Sequence, residues 1–303
     1  MKFNRCMFCC LVFLLVNPGV AQETSDSNAN GPWLMESATH QSVTIEQLAE
    51  QLTDYQCIFL GEQHDNDAGH EFQLQVIEAL LKQDVDVVIS MEQFERDVQG
   101  VLNDYLAERI SEEEFLAGSR PWPNYAEHYR PIVELAKAEQ IPVLAGNVPR
   151  RLAAAVGKGD TPASADRVFM PRNTYAPEDS YWEKFQESMQ GHGGTGSGEQ
   201  MQKFYAAQCL KDDAMAEAIT DYLAVNPHRS KVVVHLCGKF HSDYGFGTAI
   251  RVVERRPLTN ICVVTMQTLP ENGEPDDDAI NSAAARGHYV FWTVNNSNSE
   301  ADK

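Results

Sequence analysis

Two stretches of this chain place carboxylates and histidines directly after apolar runs. Cys57-Ile58-Phe59-Leu60 leads into Gly61-Glu62-Gln63-His64-Asp65-Asn66, and Val232-Val233-Val234-His235-Leu236-Cys237 leads into Gly238-Lys239-Phe240-His241. Each run has the pattern of a buried strand, and each ends in G-x-x-H. Open α/β sheets gather their ligand sites at the carboxyl ends of strands. Two such strands in one sheet would bring Glu62, His64 and His241 to a common edge. Glu92, after the run from Asp86 to Met91, and Asn147, after Ile141 to Ala145, would join them.

Three readings suit this set. Glu62, His64 and His241 could hold a divalent metal and leave one position for water. Alternatively His64 could act as a general base oriented by Glu62 or Glu92, with Glu62, His64, Glu92 and His241 as catalytic residues. The third reading is a hydrogen-bonded staple of the sheet edge.

A second cluster, Tyr125, His128, Tyr129 and Arg130, stands close to Trp122. Tyrosine and histidine are known axial ligands of haem, and aromatic groups on a helical insertion could face a flat ligand. The competing reading is packing inside a cap. Arg150, Arg151 and Arg172 concentrate positive charge in an acidic chain. They could meet ligand carboxylates or pair with the protein's own acids.

The elements around these residues follow an α/β plan. Ile45, Leu48 and Leu52 suggest a helix over 44–52, and Asp67 a cap for one carrying Phe72, Val76, Ala79 and Leu80. Val98, Val101, Leu102, Tyr105 and Leu106 match helical spacing, and Ser111 with Glu114 makes a capping box. Pro131 opens a helix through Glu139. Strands are expected at 57–60, 86–91, 141–145, 231–237, 261–266 and 289–294. The alternation predicts a largely parallel central sheet flanked by helices. Tyr181, Trp182, Phe185 and Met189 mark a further helix, and a long one spans about 199–224. Gln208 and Asp212 sit in that helix's apolar stripe, where burial without partners would cost a few kcal/mol. They should therefore have partners. The insertions at 96–130 and 175–225 are expected to form a smaller helical cap domain. The glycine-rich stretch 191–198 reads as a flexible loop, and the acidic stretch 271–278 as a solvated one.

Composition removes some functions. The 303 residues carry a formal net charge of −20, which speaks against nucleic acid as a partner. At the N-terminus, Lys2 and Arg5 precede an apolar run from Cys6 to Val16 and a small-residue zone ending at Gln22. This is the pattern of a signal peptide over 1–22, followed by a flexible leader over 23–40, a main domain over 41–294 and a tail over 295–303. The expected location is periplasmic. Cys9 and Cys10 fall inside the apolar run, a poor place for a lipid anchor, so a soluble exported form is favoured over a lipoprotein. Cys57, Cys209, Cys237 and Cys262 remain after export, either as disulfides or as buried thiols.

The ordered set Gly61-Glu62-Gln63-His64-Asp65-Asn66, Met91-Glu92-Gln93-Phe94, Trp122 to Pro131, Ala145-Gly146-Asn147-Val148-Pro149-Arg150, Phe204-Tyr205 with Gln208, Lys211, Asp212, Met215 and Ala216, and Cys237-Gly238-x-x-His241 resembles the ChaN-like haem-binding, iron-regulated family. That family lies in the wider Tiki and erythromycin-esterase-like superfamily, and the likeness covers about residues 40–268. The resemblance implies an α/β domain with a smaller helical domain, haem as cofactor, a homodimer with haems near the subunit interface, and a role in haem or iron uptake. Its haem-contacting candidates here are Tyr125, His128, Tyr129, Arg130, Arg150, Tyr175, Gln208 and Asp212. The enzyme branches of the superfamily imply a hydrolytic role for Glu62, His64, Glu92 and His241. Family members are typically lipoproteins, and this chain departs from them in lacking a good lipobox.

Overall fold

The computed structural model describes residues 32–191, 198–227, 231–270 and 273–294. The expected signal peptide, the leader up to residue 31, the centre of the glycine-rich stretch and the tail lie outside the described residues.

Seven strands form one sheet: β1 (Trp33–Glu36), β2 (Cys57–Glu62), β3 (Asp86–Glu95), β4 (Val143–Asn147), β5 (Lys231–Gly238), β6 (Ile261–Thr268) and β7 (Tyr289–Thr293). Their spatial order is β1-β7-β6-β2-β5-β3-β4. Only β1 is antiparallel to its neighbour. All six residues of β2 are buried. A fully buried aliphatic or aromatic side chain stabilises by about 1.5–3 kcal/mol. Cys57 to Leu60 therefore anchor β2 in the middle of the sheet strongly enough to carry Glu62 into the interior at its end.

The helices are α1 (Ile45–Leu52), α2 (Asp67–Leu80), α3 (Gln99–Leu106), α4 (Glu112–Ser119), α5 (Arg130–Ala138), α6 (Arg150–Lys158), α7 (Ser180–Gly191), α8 (Gly198–Val225), α9 (Gly247–Arg255) and α10 (Asp277–Ala284). One face of the sheet is covered by α1 to α5. There Ile58, Leu60, Ile89 and Leu236 meet Leu48, Phe72, Val76, Leu102 and Ile132 in the main core. On the other face Phe59, Val88, Val233 and Val263 meet Ala216, Ile219 and Leu223 of α8 and Ala249 and Val252 of α9. The 28 residues of α8 span about 42 Å. Its second half lies on the sheet, and its first half runs on to build a small cap with α7 from Tyr181, Phe185, Met201, Tyr205 and Cys209.

Several expectations need correction. The leader is not flexible throughout, because β1 forms within it and pairs with β7. The 96–130 insertion is not part of a cap. Tyr105, Phe115, Tyr125 and Tyr129 pack into the main core with Phe94, because their apolar faces are needed to cover the β3 side of the sheet. Strand β4 starts at Val143 rather than Ile141. Pro142 has no N–H to donate and only accepts, from Ile89 at 3.0 Å. The cap of α2 is Asn66, whose side chain accepts from the Gly69 N–H at 2.8 Å; Asp67 is the first helical residue. Part of the acidic stretch is helix α10, capped by Asp276. The capping box of Ser111 and Glu114 is formed as expected. The four cysteines of the main domain are buried free thiols.

Candidate functional site

The two G-x-x-H motifs interlock. Parallel pairing sets Gly61 beside Cys237 and Glu62 beside Gly238. A Cβ on Gly61 would lie 2.8 Å from Ser242 Oγ and 3.0 Å from Lys239 Cα, both just after the second strand. A Cβ on Gly238 would lie 2.8 Å from Cε1 and 2.9 Å from Nε2 of His64. Each glycine thus makes room for residues of the other motif, and this close approach brings the two histidine units together.

The first unit is centred on Glu62, which is 2 % exposed. Its Oε1 accepts from His64 Nδ1 at 2.8 Å, Gln93 Nε2 at 3.0 Å and the Tyr129 hydroxyl at 2.6 Å, and its Oε2 accepts from Gln73 Nε2 at 2.8 Å. Burial pushes the Glu62 pKa up. The His64 bond, the charges of His70 and His64 and the Tyr129 bond outweigh it, so the carboxylate is held below its ordinary value. For His64, burial favours the neutral ring, but the Glu62 bond and the charges of Glu92 and Glu62 raise its pKa. The His64 ring is half exposed and meets Trp122 edge-on at 5.0 Å. Its Nε2 has no hydrogen-bond partner among the described residues.

The second unit clamps His241 between two carboxylates. Its Nδ1 lies 2.7 Å from Asp212 Oδ1, and its Nε2 3.3 Å from Glu92 Oε1. Gln208 Nε2 lies 3.2 Å from the ring. Burial alone would lower the His241 pKa. The charges of Glu92 and Asp212 and the bonds to both prevail, and it is pushed up to about 10. His241 is therefore a fixed imidazolium at neutral pH, with both ring N–H groups already engaged. Glu92 also accepts the Gly238 N–H at 2.8 Å, and its pKa is strongly lowered because the charge and hydrogen bond of His241 and the charge of His64 exceed the cost of burial. Asp212 is wholly buried; it accepts further bonds from Thr248 Oγ1 at 2.9 Å and from the Tyr181 hydroxyl at 2.8 Å. Asn147 supports the edge by donating to the Glu92 carbonyl at 3.1 Å. Beneath the site, buried His235 meets Ser90 Oγ at 3.0 Å, and burial pushes its pKa down to about 4.

The structure thus unites Glu62, His64, Glu92, His241, Gln208 and Asp212, and it gives Gln208 and Asp212 the partners their burial requires. Tyr129 also joins, as a hydrogen-bond donor to Glu62 rather than as a free phenol. Other candidates stand elsewhere. The Tyr125 hydroxyl is buried without a partner among Phe94 and Phe115. His128 lies 2.8 Å from Asp67 and stacks on His70 at 4.1 Å. Arg130 pairs with Glu112 on the surface, Arg151 with Asp97 and Asp166, and Arg172 with Glu217 and Asp221. Arg150 is exposed at the start of α6. Tyr175 is 69 % exposed beside a polar cavity of about 470 Å³ that includes Arg172, Asp213 and Arg255.

The metal reading of Glu62, His64 and His241 is not supported. No three His, Cys, Asp or Glu side chains among the described residues are placed to hold an ion, because each imidazole is turned onto a different carboxylate. Sequence reasoning missed Gln73, Tyr181 and Thr248. Gln73 lies one helical turn after His70, a faint signal. The other two reach the site only through long-range packing, which leaves no local pattern.

Two comparisons with known proteins find matches. A family model described as "Haem-binding uptake, Tiki superfamily, ChaN" matches residues 48–252. No curated protein matches the chain. Among solved structures, ChaN of Campylobacter jejuni, described for its cofacial haem binding, is similar with a TM-score of 0.64 and 17 % identity over 86 % of this chain and 96 % of that one. An erythromycin esterase mutant in its open conformation is similar at a TM-score of 0.47 and 11 % identity, over 78 % of this chain and 77 % of that one. At 17 % identity the likeness to the Campylobacter jejuni structure speaks for the fold. The family model covers more than half of the chain and contains both interlocked motifs, and the chain belongs to the ChaN haem-binding family of the Tiki superfamily.

Proposed function

We propose that this protein is an exported haem carrier that serves haem or iron uptake. The observation that carries the reading is the family membership over 48–252, which spans both G-x-x-H motifs and the Gln208–Asp212 segment. The residue types suit the group. A haem needs flat apolar walls, an axial donor and cations for its two carboxylates. Beside the strand-end site, a cavity of about 320 Å³ offers Phe240 and Phe246, the tyrosines Tyr181 and Tyr244, and the cations Lys184, Lys239 and Arg286 together with Glu187 and Asp243. The charged-then-apolar start of the chain supports export to the periplasm. A homodimer follows the same reading, since haems stacked face to face need two haem-bearing surfaces, and a second copy of the chain supplies the other. Bound haem would bring the iron; the protein's part is to hold the macrocycle and keep water from one of its faces. The test is a haemin titration of the purified mature protein followed by visible absorption. A saturable change in the Soret band supports the reading, and a change that never saturates refutes it.

One observation favours a second reading, a His/Glu-dependent hydrolase. His64 has a buried carboxylate bonded to Nδ1 and an unpartnered, half-exposed opposite edge, the arrangement of a general base with its orienting group. On that reading His64 Nε2 would take a proton from an attacking water. Activated ester substrates test it: His64→Gln should abolish turnover with the fold intact. Equal slow turnover in wild type and variant would dismiss it.

A further inference from the structure

A polar cavity of about 470 Å³ opens between the segment 172–175, the second half of α8 and the C-terminal end of α9. It shares no residue with the strand-end site, and its volume suits a small-molecule ligand. The backbone of the segment is held by charged side chains. The Arg172 and Tyr175 N–H groups donate to Glu217 at 2.9 Å and to Asp213 at 2.8 Å. The Asn173 and Tyr175 carbonyls accept from Arg255 and Arg251, both at 3.0 Å. Asp213, Arg251 and Glu217 are each 5 % exposed or less. Buried ion pairs gain little net stability once desolvation is counted, and Arg255 Nε is buried here without a hydrogen bond. What the network secures is the position of Tyr175, whose backbone is fixed on both sides while the residue stays 69 % exposed.

An aromatic ring presented on a fixed backbone loses little freedom when it engages a ligand. The groups around it define the ligand chemistry. Arg256 and Glu254 line the cavity, and neither side chain has a hydrogen bond or ion pair among the described residues. The other charges are spent, Arg172 on Glu217 and Asp221, and Arg255 on Asp213 and Glu217. The cavity therefore offers one open cation, one open carboxylate and a tyrosine ring. A simple anion would meet Arg256 but be repelled by Glu254, and a simple cation would meet the reverse. Apart from Tyr175 and Ala224 the walls are polar, which does not suit an apolar macrocycle.

We propose that this cavity binds a small zwitterion of the amino-acid or short-peptide class, with its carboxylate on Arg256 and its ammonium on Glu254 beside the Tyr175 ring. A guanidinium grips a carboxylate through two parallel N–H groups. An ammonium next to a tyrosine ring gains a cation–π attraction as well as its ion pair. The site stands apart from both readings of the strand-end site and does not depend on either.

The test is isothermal titration calorimetry of the mature protein with L-leucine, L-alanyl-L-alanine and tri-L-alanine. At least one should bind saturably. The N-acetyl and C-terminal amide forms of that probe each carry one charge, and each should bind at least about tenfold more weakly, the loss expected for one hydrogen-bonded charge. R256Q and E254Q should each weaken the unblocked probe by a similar factor, and Tyr175→Ala severalfold. Arg256 and Glu254 have no partners to lose, so circular dichroism and Tm of their variants should match the wild type. No saturable heat with any of the three probes up to about 10 mM would overturn the proposal. Equal binding of the blocked forms would overturn the zwitterion, and wild-type affinity in R256Q and E254Q would overturn the site.

Discussion

Replacing Asp212 with Asn isolates the charge that holds His241. The amide retains an oxygen to accept from His241 Nδ1 and Thr248, and its nitrogen can donate to the Tyr181 hydroxyl, so shape is preserved while one carboxylate is lost. The rise of the His241 pKa from its ordinary 6.5 to about 10 corresponds to on the order of 5 kcal/mol shared between Asp212 and Glu92, at 1.36 kcal/mol per pH unit. Loss of one partner should remove about 2–3 kcal/mol near pH 7, close to the cost of breaking a buried pair. The sign follows from linkage. A raised folded-state pKa gives stability that is fully present below 6.5 and is lost as pH rises towards 10. Between those values the folded wild type binds one proton more than the unfolded chain, so His241 contributes a slope of about −1.4 kcal/mol per pH unit. In Asp212→Asn the folded-state pKa falls and the slope flattens over the upper part of the range. Urea unfolding at intervals from pH 6 to pH 9.5 measures both effects, and the difference between the two proteins cancels groups common to them. A variant that loses stability equally at every pH would refute the imidazolium between two carboxylates.

Other outcomes follow from the same geometry. Gly238→Ala should displace the His64 ring, because the new methyl falls 2.9 Å from Nε2. His64 should then titrate closer to 6.5 in histidine NMR, with a stability loss of about 1–3 kcal/mol. Tyr129→Phe should cost about 1.5–3 kcal/mol by urea unfolding, the range for a hydrogen bond to a charged group; no loss would mean that the Glu62 network is not formed. Asn66→Ala should cost about 1–2 kcal/mol as the true cap of α2, and Asp67→Ala under about 0.5 kcal/mol; the reverse ranking would restore Asp67 as cap. Arg130→Ala should leave haemin affinity within about twofold, since Arg130 is tied to Glu112 at 2.5 Å.

The parts legible in the sequence were those with short-range signatures. Buried parallel strands appear as unbroken apolar runs, so β2, β3 and β5 could be placed, and with them the edge that joins Glu62, Glu92 and His241. Gln208 and Asp212 stood out because polar residues in an apolar stripe demand partners. Strand β1 was hidden because four residues preceded by a polar leader give too little periodicity; it is fixed only by pairing with β7. The Tyr125 to Arg130 cluster misled because an aromatic group suited to a ligand is equally suited to a core. Here Tyr125 fills the core and Tyr129 does both, packing while it bonds Glu62.

A crystal structure of the haemin-saturated mature protein would decide whether this chain carries haem on its own surface. In that crystal the macrocycle edge should rest against Phe240 and Phe246, with the Glu62–His64 and Asp212–His241–Glu92 bonds unchanged. A saturated crystal with no macrocycle bound to the chain would contradict the haem reading.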